Sequence, residues 1–200
     1  MNKKRDPKLT FGIMLGPFPP WKQIVARAKL VESLGFDKLW LPDHFVNPDD
    51  KDMDWMDCWS VLIALATQTE KITMGTLVSS MTLRNPAILA HMALSADHIS
   101  GGRFEFGVGA AGTKKCHEMT GVPRWEPRER SEHYKEFVEI LHHMLNNEVT
   151  TYQGKYYNIQ EALMHPKFIS KPHPVINVAA HGQKALLLAA RYGDSWHCLG

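Results

Sequence analysis

The chain has 200 residues, 44% of them hydrophobic, and a formal net charge of +2 at pH 7. This length and composition are sufficient for a substantial core in one domain or a compact pair of domains, and they favour a globular enzyme. The charge is too small and too evenly spread to indicate a nucleic-acid partner, and no apolar run approaches the length of a membrane span.

Strand-like and helix-like segments alternate along the chain. Several short runs consist of consecutive apolar residues, as is typical of parallel strands that are covered on both faces. These runs predict six strands, at 9–15, 38–42, 72–79, 103–109, 175–180 and 194–199.

Apolar residues at helical spacing predict the helices between these strands. The first helix begins at Trp21 and ends before Gly35, and the second is expected to be capped by Asp54. The third has Asn85 as N-cap and Pro86 as its first residue. The inward face of the first helix is predicted to consist of Ile24, Ala28, Val31 and Leu34. The remaining helices are predicted over 128–146, which is the longest, and through Leu186, Leu187 and Ala190.

Repeated strand-then-helix units indicate a parallel sheet with crossover helices. An open doubly wound sheet and a closed barrel both fit this pattern. The segment 113–174 is longer than a single crossover, and residues 151–157 within it predict a small inserted hairpin.

A glycine pattern follows the fourth predicted strand. Residues 107–112 read G-x-G-x-x-G, which in a dinucleotide-binding fold follows a strand and opens a helix. The helix is doubtful here, because residues 113–123 show little apolar periodicity and are interrupted by Gly121 and Pro123. Taken alone, the pattern is weak evidence for a nucleotide site.

Polar and small residues of the types found in catalytic and binding sites lie where the predicted strands end. They are Asp43-His44, Ser79-Ser80, the glycines of 107–112, His181-Gly182 and His197. In a (β/α) barrel this edge carries the active site, because the loops that follow the strands converge there. An imidazole with a pKa near 6.5 exchanges protons at neutral pH, so His44 is a candidate acid or base, and Asp43 is a candidate to orient it.

The cysteines and histidines argue against a disulfide-stabilised fold and against a zinc site. Cys58, Cys116 and Cys198 are odd in number and widely spaced, which disfavours a disulfide framework and indicates a reducing compartment. The basic start is followed by a short apolar run without a signal-peptide cleavage site, so a cytoplasmic location is expected. The adjacent pairs at 116–117, 142–143 and 197–198 lack the spacing of an established zinc signature, so no metal is expected.

Four ordered motifs resemble the luciferase-like family of flavin- and deazaflavin-dependent oxidoreductases, whose members are (β/α)8 TIM barrels. The motifs are residues 35–44, residues 75–78 with 84–87, residues 102–109, and residues 178–182 with 193–196. The resemblance covers nearly the whole chain, 1–200. It implies a single barrel domain truncated to about six βα units and incomplete at its C-terminus, with an insertion at 113–174 between the fourth and fifth strands of the barrel.

The length of the chain departs from the family pattern. A complete barrel needs about 250 residues, so the first and sixth strands would be open, apolar edges. Either the chain is part of a longer protein, or it is a reduced barrel completed by oligomerisation.

The resemblance also implies site residues. His44 and Asp43 take the catalytic positions, and Leu77-Val78 takes the position of a non-proline cis peptide beneath the coenzyme ring. Ser80 offers a hydroxyl to the coenzyme, and backbone at Gly109, Ala110 and Ala111 leaves clearance for its ring. His181-Gly182, directly before a helix, places backbone N–H groups where the coenzyme phosphate would bind.

The Asp-His pair is most similar to the branch that uses the deazaflavin coenzyme F420, with FMN as the alternative. The resemblance therefore implies hydride transfer between coenzyme F420 and a small organic substrate, by a homodimer. An FMN-dependent monooxygenase and a non-catalytic, shortened flavin-binding protein are the alternatives. Relatives that oxidise a sugar phosphate or a secondary alcohol carry a glutamate where this chain has Gly112. That departure places their acid role, and those substrates, in doubt.

Overall fold

The computed structural model describes residues 9–110 and 113–198. Within them the chain alternates strands and helices, with one antiparallel hairpin between the fourth and fifth strands of the main sheet. The strands are β1 (Gly12–Met14), β2 (Lys38–Leu41), β3 (Thr73–Ser80), β4 (Phe104–Gly109), β5 (Val149–Gln153), β6 (Asn158–Leu163), β7 (Val175–Ala179) and β8 (Ser195–His197). The helices are α1 (Trp21–Ser33), α2 (Cys58–Ala66), α3 (Pro86–Ser100), α4 (Lys114–Thr120), α5 (Pro127–Asn146) and α6 (Gln183–Tyr192).

Six parallel strands form one curled sheet in the order β1-β2-β3-β4-β7-β8, which makes half of a barrel. Each strand lies beside the next strand of the sheet along the chain, so every crossover moves the chain in the same direction across the sheet. This order excludes the doubly wound sheet, in which the strand order reverses at a switch point. The expectation of a truncated barrel with about six units is confirmed.

The helices cover one face of the sheet and bury a single hydrophobic cluster. Phe106 and Val108 of β4 are fully buried against that face, as are Phe137 and Leu141 of α5. The outer strands of the sheet are β1 and β8, each paired on one side, and the apolar side chains of Met14 and Trp196 are more than half exposed there.

The local signals for α3 are confirmed. The side chain of Asn85 accepts hydrogen bonds from the backbone N–H groups of Ala87 and Ile88, at 2.9 and 3.3 Å, and Pro86 is the first helical residue. Gly101 ends the helix in the left-handed conformation, with φ of 67°. Such a conformation is readily adopted only by a residue without a Cβ atom.

Two helix predictions were wrong in detail. Asp57 caps α2 in place of Asp54, because the Asp57 carboxylate accepts the Ser60 N–H at 2.8 Å. On α1, Ile24, Ala28 and Val31 are buried as expected, but Leu34 lies at the C-cap and is 65% exposed.

A short helix does follow the glycine pattern, contrary to the doubt raised by the sequence. Thr113 caps α4 by accepting the Cys116 N–H at 3.3 Å, and Gly121 ends the helix with φ of 72°. Only Cys116 and His117 of this helix are buried, which is too few residues to produce an apolar period in the sequence. Hence α4, α5 and the β5-β6 hairpin together occupy the segment 113–174.

The predicted hairpin is confirmed as β5 and β6, and its connection is fixed to α5. The Glu136 carboxylate accepts the backbone N–H groups of Lys155, Tyr156 and Tyr157 at 2.8 to 3.2 Å. The half-buried carboxylate of Glu136 thus holds the turn of the inserted hairpin. Among the described residues, no helix combines the length and the apolar character needed to cross a membrane.

Candidate active site

The carboxyl ends of the six parallel strands meet at one edge of the sheet, and the predicted site residues are distributed along it. Asp43 and His44 follow β2, Ser80 ends β3, and Gly109 ends β4. His181 and Gly182 lie between β7 and α6, as expected. Ala110 directly follows β4, whereas Ala111 lies outside the described residues.

Asp43 forms a bidentate ion pair with Arg84. Its Oδ1 atom accepts from Arg84 Nη2 at 2.8 Å and its Oδ2 atom accepts from Arg84 Nε at 3.2 Å. The backbone N–H of Ser80 also donates to Oδ2, at 3.3 Å. The Asp43 side chain is 1% exposed, so water does not compensate its charge. These contacts make Asp43 a residue that fixes the end of β2 against the end of β3.

The same guanidinium also binds the cap of α2. Arg84 Nη2 donates to Asp57 Oδ1 at 2.6 Å. Although burial lowers the pKa of Arg84, the two carboxylates raise it above its ordinary value. For Asp57 the effects have the opposite signs. Burial raises its pKa, but the Ser60 N–H and Arg84 together bring the pKa below its ordinary value. Arg84 and Asp57 are therefore charged at neutral pH. We call the three residues the Arg84 clamp: Arg84, Asp43 and Asp57.

Sequence reasoning did not identify Arg84 as a site residue. It appeared only as part of a family motif, in front of Asn85 and Pro86. A cation directly before a helix N-terminus is electrostatically unfavourable unless a carboxylate accompanies it, and that is a signal a sequence can carry.

His44 is half-buried, and its ring lines an open cleft. Burial lowers its pKa below the ordinary value, and the charges of Asp43 and Asp49 oppose this effect only in part. The ring is therefore neutral at pH 7. Its Nδ1 atom is buried and has no hydrogen-bond partner.

The cleft has a volume of about 530 Å³, within the range of small-molecule sites. One wall consists of the loop after β2, where the Trp55 indole N–H donates to the His44 carbonyl at 2.9 Å. The opposite wall comes from the end of α4 and the residues after it, with Thr120 and Val122. The two walls are joined where the Phe45 N–H contacts the Cys116 sulfur at 3.4 Å.

Strand β3 bulges at the middle of this edge. Its pairing with β4 shifts register between Thr76 and Ser79, and the peptide bond between Leu77 and Val78 is cis, the geometry that the resemblance implies for this position. A buried chain of hydrogen bonds flanks the bulge: Trp59 Nε1 to Ser79 Oγ, Ser79 Oγ to Thr76 Oγ1, and Thr76 Oγ1 to the Gly107 carbonyl, each at 2.9 to 3.0 Å.

The glycines of β4 provide room for Val78. A Cβ atom at Gly109 would lie 2.5 Å from Val78 Cγ2, and one at Gly107 would lie 2.9 Å from Val78 Cγ1. The space that the sequence suggested for a coenzyme ring is therefore taken first by a side chain of the neighbouring strand. The glycines therefore allow the bulge to approach β4.

The Ser80 hydroxyl lies 2.7 Å from the Thr82 hydroxyl, and the Ser80 backbone N–H donates to Asp43.

Tyr134 of α5 was not identified as a site residue from the sequence, yet its side chain lies across the same edge. Its hydroxyl lies 2.7 Å from the Val108 carbonyl and 3.1 Å from the Ala179 carbonyl, so one side chain spans the ends of β4 and β7.

The N-terminus of α6 fits an anionic group. The Gly182 carbonyl accepts the Leu186 N–H at 2.9 Å, and the preceding backbone N–H groups of the first turn have no partner within the helix. A Cβ atom at Gly182 would meet nothing within 4 Å, so the approach is open. Lys184 adds an exposed cation in this turn. These features suit a phosphate group.

His197 is the last residue of β8 and lies opposite Ala179, the last residue of β7. Its ring packs edge-on against Trp40, with ring centroids 5.5 Å apart, and its buried Nε2 atom has no partner. Burial lowers the pKa of His197. Over 9–110 and 113–198, no group of three or more histidine, cysteine, aspartate and glutamate side chains is placed to hold a metal ion.

Comparison with known proteins agrees with this geometry. Residues 7–200 match the family described as luciferase-like monooxygenase. The chain belongs to this family. Its fold is similar to that of a coenzyme F420 dependent tetrahydromethanopterin reductase from Methanopyrus kandleri, with a TM-score of 0.78 and 25% identity over 94% of this chain and 55% of that one.

Two curated relatives are similar in sequence. The 5,10-methylenetetrahydromethanopterin reductase of Archaeoglobus fulgidus is 32% identical over 186 residues, which are 93% of this chain and 52% of that protein. An F420-dependent glucose-6-phosphate dehydrogenase of Kineococcus radiotolerans is 30% identical over 96% of this chain and 56% of that protein. The chain thus spans about half the length of these relatives, all of which are oxidoreductases.

We predict that Gly109→Ala destabilises the fold through Val78. The added methyl overlaps Val78 Cγ2, and overpacking of this kind costs about 2 kcal/mol of unfolding free energy. Urea unfolding of Gly109→Ala, Val78→Ala and the double variant measures the coupling. The double variant should recover at least about 1 kcal/mol relative to the sum of the single effects. Additive effects would contradict the contact.

We predict that Arg84→Met lowers the free energy of unfolding by about 3 kcal/mol, since it leaves the buried Asp43 charge uncompensated. The matched control is Arg128→Met, which removes an exposed pair with Glu132 and should cost at most about 1 kcal/mol. Adding Asp43→Asn to Arg84→Met should restore part of the loss, because the amide carries no charge. A double variant as unstable as Arg84→Met would show that charge is not the cause.

Proposed function

We propose that the protein is an oxidoreductase that transfers hydride between coenzyme F420 and a small organic substrate at this edge of the half-barrel. The observation that carries the proposal is a neutral imidazole, His44, which lines a cleft of about 530 Å³ together with the residues that follow β3. The names of the relatives, a methylenetetrahydromethanopterin reductase and an F420-dependent dehydrogenase, support the choice of reaction and coenzyme.

The residues present fit a coenzyme with a flat ring and a phosphate. The bulge at Val78 and Ser80, together with Gly109 and Ala110, would hold the ring, and His181 and Gly182 would hold the phosphate at the open N-terminus of α6. When bound, the coenzyme would supply the acceptor or donor of hydride. The residues of this chain would position the substrate and transfer its proton.

His44 would hold or move that proton. Hydride transfer at a carbon that bears a hydroxyl or carbonyl oxygen requires a proton to move on the oxygen. A ring whose pKa is lowered by burial is neutral at pH 7 and can accept the proton through its unprotonated nitrogen. Asp43 would act through position, because Arg84 and the Ser80 N–H already occupy its oxygens.

FMN is the second candidate coenzyme, since the family description is that of a monooxygenase. A non-catalytic flavin-binding role is the third candidate. The Asp43-His44 pair favours coenzyme F420 over FMN. The homodimer and the cytoplasmic location stay predictions.

The coenzyme choice predicts that the protein binds coenzyme F420 more tightly than FMN. Equilibrium titration of the protein with each coenzyme, followed by fluorescence, measures the two dissociation constants. Gly182→Asp is the matched site variant, because a carboxylate at the start of α6 would repel a phosphate, and it should weaken binding of either coenzyme at least about tenfold. Tighter binding of FMN by the unaltered protein would overturn the choice.

The role of His44 predicts that His44→Ala lowers kcat by a factor of about 10² to 10⁴ while the coenzyme dissociation constant stays within a few-fold of its original value. The matched variant is His44→Gln, whose amide can donate a hydrogen bond but cannot take up a proton, and it should be equally slow. For hydride removal from an alcohol, kcat/KM of the unaltered enzyme should fall as pH drops below the pKa of His44, which lies below its ordinary value of 6.5. An unchanged kcat in His44→Ala would refute the role.

A further inference from the structure

A groove runs between α5 and α6 and shares no residue with the cleft described above. Its volume is about 400 Å³, within the range of small-molecule sites. At about 1.5 Å per residue, the stretch of α6 that lines it, 184–192, is about 12 Å long. A whole helix is about 10 Å wide, too wide to enter the space between two neighbouring helices. The groove therefore suits a narrow, elongated molecule.

The middle of the groove is apolar. Ala185, Leu187 and Leu188 of α6 line it together. Leu188 is buried, whereas Leu187 is 66% exposed. Hydrocarbon placed on these side chains would remove apolar surface from water, which favours binding.

The two carboxylates that line the groove, Glu132 and Glu139, are bound by donors of the protein at distances of 2.8 to 3.4 Å. The donors are Tyr156, Lys155 and Arg128 for the first carboxylate and Tyr152, Tyr192 and Lys135 for the second. Two of the four cations that line the groove are thereby paired. The cations that keep no carboxylate partner are both on α6.

These two cations are Lys184 at the start of α6 and Arg191 near its end. Over the part of the chain that the structure describes, no carboxylate lies within ion-pair distance of either. The Arg191 guanidinium lies over the Tyr192 ring, 5.1 Å from its centroid, and the Tyr192 hydroxyl donates to Glu139 at 3.0 Å. A guanidinium stacked on an aromatic ring keeps the N–H groups of its edge, and these match the two oxygens of a carboxylate.

We infer that the groove binds a monocarboxylate with an extended hydrocarbon chain. The carboxylate pairs with Arg191, and the chain lies over Leu187 and Leu188 toward Lys184. The seven residues from 184 to 191 correspond to about 10 Å of helix, the length of an extended chain of about eight carbons. This site is a second binding site, and it does not depend on the proposed function of the cleft.

Calorimetric titration of the protein with octanoate tests the inference, with butanoate and 1-octanol as matched ligands. We expect saturable, one-to-one binding of octanoate. Butanoate should bind at least about tenfold more weakly, because it lacks four methylene groups. Octanol should also bind at least about tenfold more weakly, because it carries no charge for Arg191. Absence of saturable octanoate binding would overturn the inference, as would equal binding of octanol.

Two substitutions on α6 locate the site. Arg191→Gln should weaken octanoate binding at least about tenfold. The matched control is Lys184→Gln, which removes the other unpaired cation of the same helix and should change the dissociation constant by less than about threefold. Both side chains are exposed, so both variants are expected to fold, and urea unfolding checks this. Equal weakening by the two substitutions, or none by Arg191→Gln, would contradict a carboxylate site at Arg191.

Discussion

The ion pair of Arg84 with Asp43 and Asp57 is the interaction on which the arrangement of this edge depends. It joins the end of β2, the cap of α2 and the segment that leads into α3 through one planar cation. A carboxylate that is 1% exposed is tolerated in a protein only if it is paired and hydrogen-bonded, and Asp43 receives three such bonds. Because one of these bonds comes from the Ser80 N–H, the clamp also sets where the bulged strand ends.

The Arg84 clamp makes two adjacent residues, Asp43 and His44, differ in their contacts. Asp43 is committed to structure, while His44, the next residue, is left with a free ring on the cleft side. Burial favours the neutral imidazole of His44, and the charges of Asp43 and Asp49 shift its pKa back only in part. The same arrangement that occupies Asp43 therefore leaves His44 as a neutral ring beside the cleft.

The glycine pattern illustrates how one motif can serve different structures. In a dinucleotide fold, its glycines admit a pyrophosphate at the start of a helix. In this half-barrel, Gly107 and Gly109 admit the side chain of Val78 from the neighbouring strand. The helix N-terminus that suits an anion belongs to α6, which follows β7, the next strand of the sheet, and Gly182 leaves open space there. The glycines of β4 and the open N-terminus of α6 are thus separate features of the edge.

The sequence by itself determined the order of strands and helices, the Asn85 cap and Gly101 stop of α3, and the place of His44 just after a strand, because these follow from patterns of neighbouring residues. It also carried a family resemblance specific enough to imply a half-barrel. The tertiary structure decided that Asp57 caps α2, that Arg84 binds Asp43 across 41 residues of chain and Asp57 across 27, and that Val78 fills the space above the glycines. No local pattern encodes these contacts, since each depends on how the bulged strand and its neighbours pack, and the charge and shape of the cleft follow from that packing.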